Sequence, residues 1–556
     1  MIYKSFLLLL LGSWYNLSIA QSWGDYTLYS VRNTNVAYLI DLNNNVYKTW
    51  TFSSAYKTGY SSYLLPGSNL LRTVYDTPNS FTGGGQTGRM QKVDWNGNML
   101  WDFLYCTTAY SMHHDICPMP NGNVLLISYE LRTAAEVTQA GGTYNNFMWS
   151  EKIVEVKQTG PTTGEIVWEW KVWDHLVQNV DPSKDNYKPS ITNNPQLINI
   201  NYRPAKDWIH MNGVDYNPIL NQIVVSSHNF NELWVIDHST TTAEAASHSG
   251  GNTGKGGDLL YRWGNPAAYN ASGTNVFRVV HDSHWIPEGS PNAGRLAAFN
   301  NQGVSTTRSS VDQIIPPRIE YLYNISLGSA FAPSTYTQRH TCNGYSSNES
   351  GSQSLPNGNL LVCMAMSGLM YEVNPAGTTV WSKQASGVVS KAYRYSACYI
   401  TNPTPPIPVI TLSGTSLVSS TGATYQWYRN GDLIPDATAQ TYTPTQNGIY
   451  VVRITDVNNC HFSYSAGKTF SGNNSVPATP YLEKLSIYPN PTQGILTFSI
   501  PASDIIKAEI FDLQGKILAV YEGASTIDFS VFENGIYLLK IQTLLGETAR
   551  KVLVSK

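Results

Sequence analysis

Three histidines recur at one position in three successive sequence repeats. His114 lies six residues before Pro120, His281 six before Pro287, and His210 six before Tyr216, which opens the turn Tyr216-Asn217-Pro218. If each repeat is one blade of a radial β-structure, equivalent positions face a common axis and the three imidazoles converge. Such a set can do three kinds of chemistry. A neutral imidazole can attack an electrophile and carry a covalent intermediate, another can move a proton, and three together can ligate Zn or Mn with a position left open for water. His210 and Asn212 are two residues apart, so an extended strand puts them on one face, able to bind the same anionic oxygens. The same alternation turns His113 and His284 away, as structural groups. His175, His238 and His248 stand in polar loops, where solvation is expected.

The elements that must position these residues are strands. From about residue 25 to 400 an apolar strand ending in an acidic or amide residue, a tight turn and a Trp-bearing strand recur, as in Tyr38-Leu39-Ile40-Asp41 with Trp50, Val93-Asp94 with Trp101, and Trp234-Val235-Ile236-Asp237 with Trp263. Turns such as Pro120-Asn121-Gly122-Asn123 and Pro356-Asn357-Gly358-Asn359 supply positive φ between them. Hairpins repeated in this way, with little helical periodicity, predict an all-β chain led by a β-propeller of about six blades. A proline-rich linker, 401–408, ends that unit. Residues 409–470 carry strand patterns similar to an immunoglobulin-like sandwich, with Trp427 as the core aromatic and no inter-sheet cysteine pair. A last small β-sandwich module spans 482–556, behind a loose stretch from Ser471 to Pro480.

Composition narrows the function classes. Residues 1–20 have the charge, apolar run and small-residue end of a secretory signal peptide, and no later stretch is long enough for a transmembrane helix. Charged residues make up 13% of the chain against a usual value of about 25%, and the net charge is -3, so no basic stripe exists to neutralise a nucleic-acid backbone. Six cysteines are too few for a disulfide scaffold; Cys106 and Cys117 are close enough in sequence to pair, and free buried thiols are an equal alternative. Gly83-Gly84-Gly85-Gln86-Thr87-Gly88 fits a dinucleotide fingerprint but opens no helix and is read as a loop, and Gly254-Lys255-Gly256 lacks the rest of a phosphate loop.

Two resemblances follow from longer motifs. Leu485-Ser486-Ile487-Tyr488-Pro489-Asn490-Pro491, Phe511-Asp512-Leu513-Gln514-Gly515-Lys516 and Asn534-Gly535-Ile536-Tyr537-Leu538-Leu539-Lys540 resemble the type A sorting domain read by the type IX secretion system. That implies passage through the outer membrane to the cell surface or the medium, with the secretion machinery as a partner. Asp207-Trp208-Ile209-His210-Met211-Asn212, Ser226-Ser227-His228-Asn229, His114-Asp115 and His281-Asp282 resemble the bacterial arylsulfate sulfotransferase family.

The family is a six-bladed propeller that moves a sulfuryl group from an aryl sulfate to a phenol through a sulfohistidine, without a nucleotide donor, cofactor or metal. By position the resemblance implies His281 as nucleophile, His114 and His210 as further active-site histidines and Asn212 as a substrate-binding amide. His228 stands where the family's bacterial prototype has arginine and is assigned to the same anion as a titratable cation, with Arg262, Arg339 and Arg394 as candidates to replace the missing guanidinium. Two other classes share these features: a non-catalytic propeller that binds glycans or surfaces, and a hydrolase or lyase with a His-ligated metal.

Overall fold

Strands recur from residue 26 to 395, many of them buried along most of their length, and six four-stranded antiparallel sheets gather them. The coordinates are a computed structural model describing residues 21–326, 328–471, 485–512, 515–543 and 546–556. The expected signal peptide and most of the stretch before the last module lie outside the described residues. Helix is confined to short turns such as Ala134–Gln139, Thr242–Ala245 and Ala397–Thr401. None of the described helices is long and apolar enough to cross a membrane.

The first sheet joins both ends of this region, because Ala392–Tyr395 pairs with Tyr26–Ser30. The next five sheets are led by Lys57–Leu64, Tyr110–Pro118, Met211–Asn217, Val280–Trp285 and Gly351–Ser354. Each of these strands packs on the leading strand of the following sheet, the sixth meets Ala392–Tyr395, and Tyr26–Ser30 packs on Lys57–Leu64.

The recurring tryptophans explain how neighbouring sheets are held together. Trp50, Trp101, Trp168 and Trp263 lie buried in the last strands of the first four sheets. Their indole N–H groups donate to the following sheet in turn: to the Asp94 carbonyl at 3.2 Å, the Thr163 carbonyl at 3.0 Å, Thr240 Oγ1 at 3.2 Å and the Pro333 carbonyl at 2.6 Å. Burying an indole is worth roughly 4–6 kcal/mol as an upper estimate, and the directed N–H fixes how the next sheet sits.

Residues 410–470 form a three-stranded and a five-stranded sheet around Trp427, which is fully buried as expected, and residues 485–554 enclose a separate apolar core. Cys106 and Cys117 are free, and the disulfide joins Cys398 to Cys460 with Cα atoms 5.6 Å apart. It crosses the proline-rich stretch, and Arg318 to Asp432 at 2.5 Å and Arg453 to Glu288 at 3.2 Å add ion pairs between the same two parts. Ile219 packs on Tyr428 and Val451 beside them. The middle part is therefore docked on the six-sheet region rather than held on a loose tether. Protease cleavage within residues 403–408 is expected to leave both pieces migrating together on a non-reducing gel and to separate them once a thiol is added. Separation without reductant would rule the bridge out.

Candidate active site

Four leading strands break register at a similar depth, between Thr58 and Ser62, Met112 and Ile116, Met211 and Gly213, and His281 and His284. A bulge re-aims the side chains it carries. His114 (φ 48°), His210 (φ 56°) and Asp282 (φ 55°) are also in the left-handed region, which costs a non-glycine residue about 1–3 kcal/mol and concentrates at functional sites. Strict alternation therefore fails here. His113 does not turn away from His114: their Nδ1 atoms are 2.8 Å apart. Asn212 does not share an anion site with His210. Its buried amide donates to the Val280 carbonyl at 2.8 Å and accepts from Ser226 Oγ at 2.6 Å, holding the backbone next to His281.

The three in-phase histidines do come together, with His228 among them. Ring centroids are 4.8 Å apart for His114 and His210, 5.1 Å for His210 and His228, and 5.5 Å for His228 and His281. The result is a continuous row drawn from the third, fourth and fifth sheets. Tyr60, from the second, stands edge-on to His114 at 5.0 Å.

Hydrogen bonds fix the tautomers. Asn301 donates its amide to the Ser346 and Glu349 carbonyls, so its oxygen accepts from His281 Nδ1–H at 2.8 Å. The lone pair of His281 is then on Nε2, which accepts only a long 3.2 Å bond from the Glu349 backbone N–H. Asn229 likewise donates to the Asp207 carbonyl and accepts from His228 Nδ1–H at 2.8 Å, leaving Nε2 of His228 as a lone-pair atom.

Charge is distributed unevenly along the row. Burial pushes the His281 pKa well below the usual imidazole range, and any charge placed on His228 would lower it further. Burial, then the charge of His210, does the same to His114. His228 is lowered to about 4 by burial and by His210. At His210 burial also opposes charge, but the 2.7 Å bond to Asp207 and the negative charge of that carboxylate outweigh it, and its pKa is raised. His210 is thus the imidazole of this row whose partners favour the charged form, whereas burial and His210 weigh against the expected cation at His228. Behind His114 runs a chain from Glu151 Oε2 through His113 Nε2 at 2.9 Å to His114 Nδ1. Burial holds the Glu151 carboxyl well above its ordinary range, so it keeps a proton to feed that chain.

The three candidate arginines serve elsewhere. Arg262 is bound to Glu232 and to the Pro195 and Leu197 carbonyls, Arg339 to Asp312, and Arg394 to Glu372 and the Trp23 carbonyl. Breaking such a buried pair costs about 3–5 kcal/mol, which leaves none of them available to an anion. Lys391 is also committed, bridging Asp115 and Asp282 beneath the row; those carboxylates more than offset its burial and raise its pKa. His238 is held by Asn221 and Glu155 rather than solvated, and His175 is buried; His248 is exposed as expected.

Sequence reasoning missed Asp207, Glu151, Asn301 and the cover over the rings. Gly83-Gly84-Gly85 is a loop, as expected, but it lies on the site. A Cβ at Gly85 would come within 2.2 Å of the His114 ring, and one at Gly84 within 2.9 Å of His210. Gly83 and Gly85 also line a cavity of about 230 Å³ with Tyr60, Arg32 and Glu349. Three adjacent glycines were the available signal, because backbone approaches a ring this closely only where no side chain intervenes.

Residues 26–397 match the family model described as Arylsulfotransferase (ASST). The chain belongs to the arylsulfotransferase family. The match supports a transferase-type enzyme, and residues 486–555 match a secretion system C-terminal sorting domain, so the protein is secreted or displayed at the cell surface through that machinery. None of the curated proteins matches it. Among solved structures it is similar to a protein of unknown function from Bacteroides caccae (11% identity, TM-score 0.38, 66% of this chain and 98% of that one). A calcium-binding protein, regucalcin, from Agrobacterium tumefaciens matches at 10% identity and TM-score 0.28, over 66% of this chain and 92% of that one. A streptogramin B lyase matches at 12% identity and TM-score 0.31, over 73% and 92%. Likeness at that level carries no argument about activity.

Proposed function

We propose that the six sheets are the blades of one closed β-propeller over residues 25–400, followed by an immunoglobulin-like sandwich at 409–470 and the sorting module at 482–556. We further propose that the propeller moves a sulfuryl group from an aryl sulfate ester to a phenol through a sulfohistidine at His281. The observation that carries this reading is the row of four histidines in which His281 offers a lone pair on Nε2 while His210, one ring removed, is charged.

In the first half-reaction His281 Nε2 attacks sulfur and the aryl oxygen–sulfur bond breaks, the pair leaving with the phenolate. Asn301 accepts the Nδ1–H bond that strengthens as the ring becomes cationic. The His210 imidazolium balances the charge on the sulfuryl oxygens, and the Glu349 N–H, released from Nε2, is placed to bind one of them. The departing phenolate takes a proton from His114 Nε2, refilled from Glu151 through His113. In the second half-reaction His228 Nε2 takes the proton of the incoming phenol, whose oxygen bonds to sulfur as the nitrogen–sulfur pair returns to His281. Glu151 and His228 are then reset through solvent. Asn212 is a positioning residue for His281.

The test is phenol release from a chromogenic aryl sulfate with and without a second phenol. Release that rises with the acceptor and gives parallel-line kinetics is expected of two half-reactions. Equal release without acceptor would make the protein a hydrolase, and none with any acceptor would favour a binding role.

A further inference from the structure

We propose a metal site, separate from the histidine row, in which His175, His248 and Asp258 bind one divalent transition ion of the zinc class. His175 ends a short 3-10 turn, Val172–His175, after the last strand of the third sheet. His248 and Asp258 belong to the long excursion between Glu232–Asp237 and Tyr261–Trp263 of the fourth sheet. Their ligand atoms all lie within 4.8 Å of one another, and among the described residues no other group of histidine, cysteine and carboxylate side chains converges in this way. The row at the active site does not.

The geometry turns two imidazole nitrogens toward one carboxylate oxygen. The Ala245 carbonyl can only accept, so His175 Nε2, 2.8 Å away, carries the hydrogen. Its Nδ1 is thereby turned toward Asp258 Oδ1 at 3.0 Å, a contact that a proton or a metal ion can bridge. His248 brings its own Nδ1 to 2.6 Å from that same oxygen.

The donation of Nε2–H to a backbone carbonyl is also the outer support that orients metal-ligating imidazoles. Trp170 stacks on His175 with ring centroids 5.5 Å apart and interplanar angle 6°, which fixes the ring plane. Gly257 passes so close that a Cβ would lie 2.6 Å from His175 Nε2.

Two nitrogens and one oxygen suit zinc, whose bonds of about 2.0–2.2 Å need ligands about 3.3 Å apart; calcium and magnesium prefer oxygen alone. The two nitrogen–oxygen pairs, now at 2.6 and 3.0 Å, must therefore open by about 0.7 and 0.3 Å on binding. With His248 61% exposed at its side chain, the remaining coordination position opens to water. The ion clamps the 238–260 excursion onto the neighbouring sheet, holding a connection rather than taking part in transfer.

The experiment uses the full chain, stripped with a chelator, given excess zinc sulfate and passed through gel filtration. One zinc per chain should remain, and the melting midpoint should rise by a few degrees. His248→Ala, which changes an exposed side chain, should lower zinc affinity at least tenfold and remove the shift, as should Asp258→Asn, while aryl sulfate turnover by His248→Ala stays as in the wild type. Equal zinc retention by wild type and His248→Ala, or retention by neither, would overturn the site and leave a hydrogen-bonded histidine–aspartate cluster.

Discussion

Replacing His281 with alanine is expected to reduce phenol release from an aryl sulfate by about 10⁴-fold or more, because the variant has no atom to receive sulfur and the two-step route is closed. The same variant should carry no acid-labile sulfuryl label after incubation with donor alone, where the wild type accumulates one. His114→Ala is the informative contrast. It removes a proton donor while leaving the nucleophile and the His210 charge in place, so turnover should fall by on the order of a hundredfold and the label should still form. If His281→Ala forms label at the wild-type rate, the nucleophile is another ring of the row. His228 is next to it at 5.5 Å, and His228→Ala would then be the variant that loses the label.

Much of this site was legible in the sequence, for a physical reason. A repeat fixes phase, and phase fixes which side chains face a common axis whatever the loops between them do, so His114, His210 and His281 could be brought together on spacing alone. The recurring strand-final tryptophans were legible for the same reason. What failed was inference from local backbone geometry. Alternation assumes extended φ, and His114 and His210 are left-handed, so His113 ended behind His114 and Asn212 ended in the support of His281.

Electrostatic roles were least legible, because charge depends on partners remote in sequence or hidden in ordinary motifs. His228 reads as a stand-in for arginine until Asn229 is seen to fix its tautomer and burial to keep it neutral. His210 reads as one of three equals until Asp207 is seen 2.7 Å from its Nδ1. The Cys398–Cys460 bridge spans a separation of 62 residues and two parts of the chain, beyond the reach of spacing arguments.

Asp207→Asn tests that distribution of charge. The carboxylate bonded to Nδ1 keeps the His210 pKa above the ordinary imidazole value against the effect of burial. His210 is therefore charged below its raised pKa, and the charge is lost as pH rises through it. His281 works in the opposite sense. Its pKa lies well below the imidazole range, so it stays neutral and nucleophilic down to acidic pH. Wild-type turnover should accordingly be level across mildly acidic to neutral pH and fall on the alkaline side as His210 deprotonates.

An amide at position 207 can still accept a hydrogen bond but supplies no charge, so burial then dominates and His210 is neutral at pH 7. Loss of that imidazolium from a water-poor site is expected to cost about a hundredfold in turnover, equivalent to about 2.7 kcal/mol of transition-state stabilisation. The alkaline limb should move to lower pH, and activity should recover in part as the buffer is acidified. Tyr129→Phe provides the control, since the Tyr129 hydroxyl reaches His210 Nδ1 only at 3.3 Å and its removal leaves the Asp207 pair intact. A profile for Asp207→Asn that keeps the wild-type alkaline limb would mean that the anion is balanced by some group other than His210.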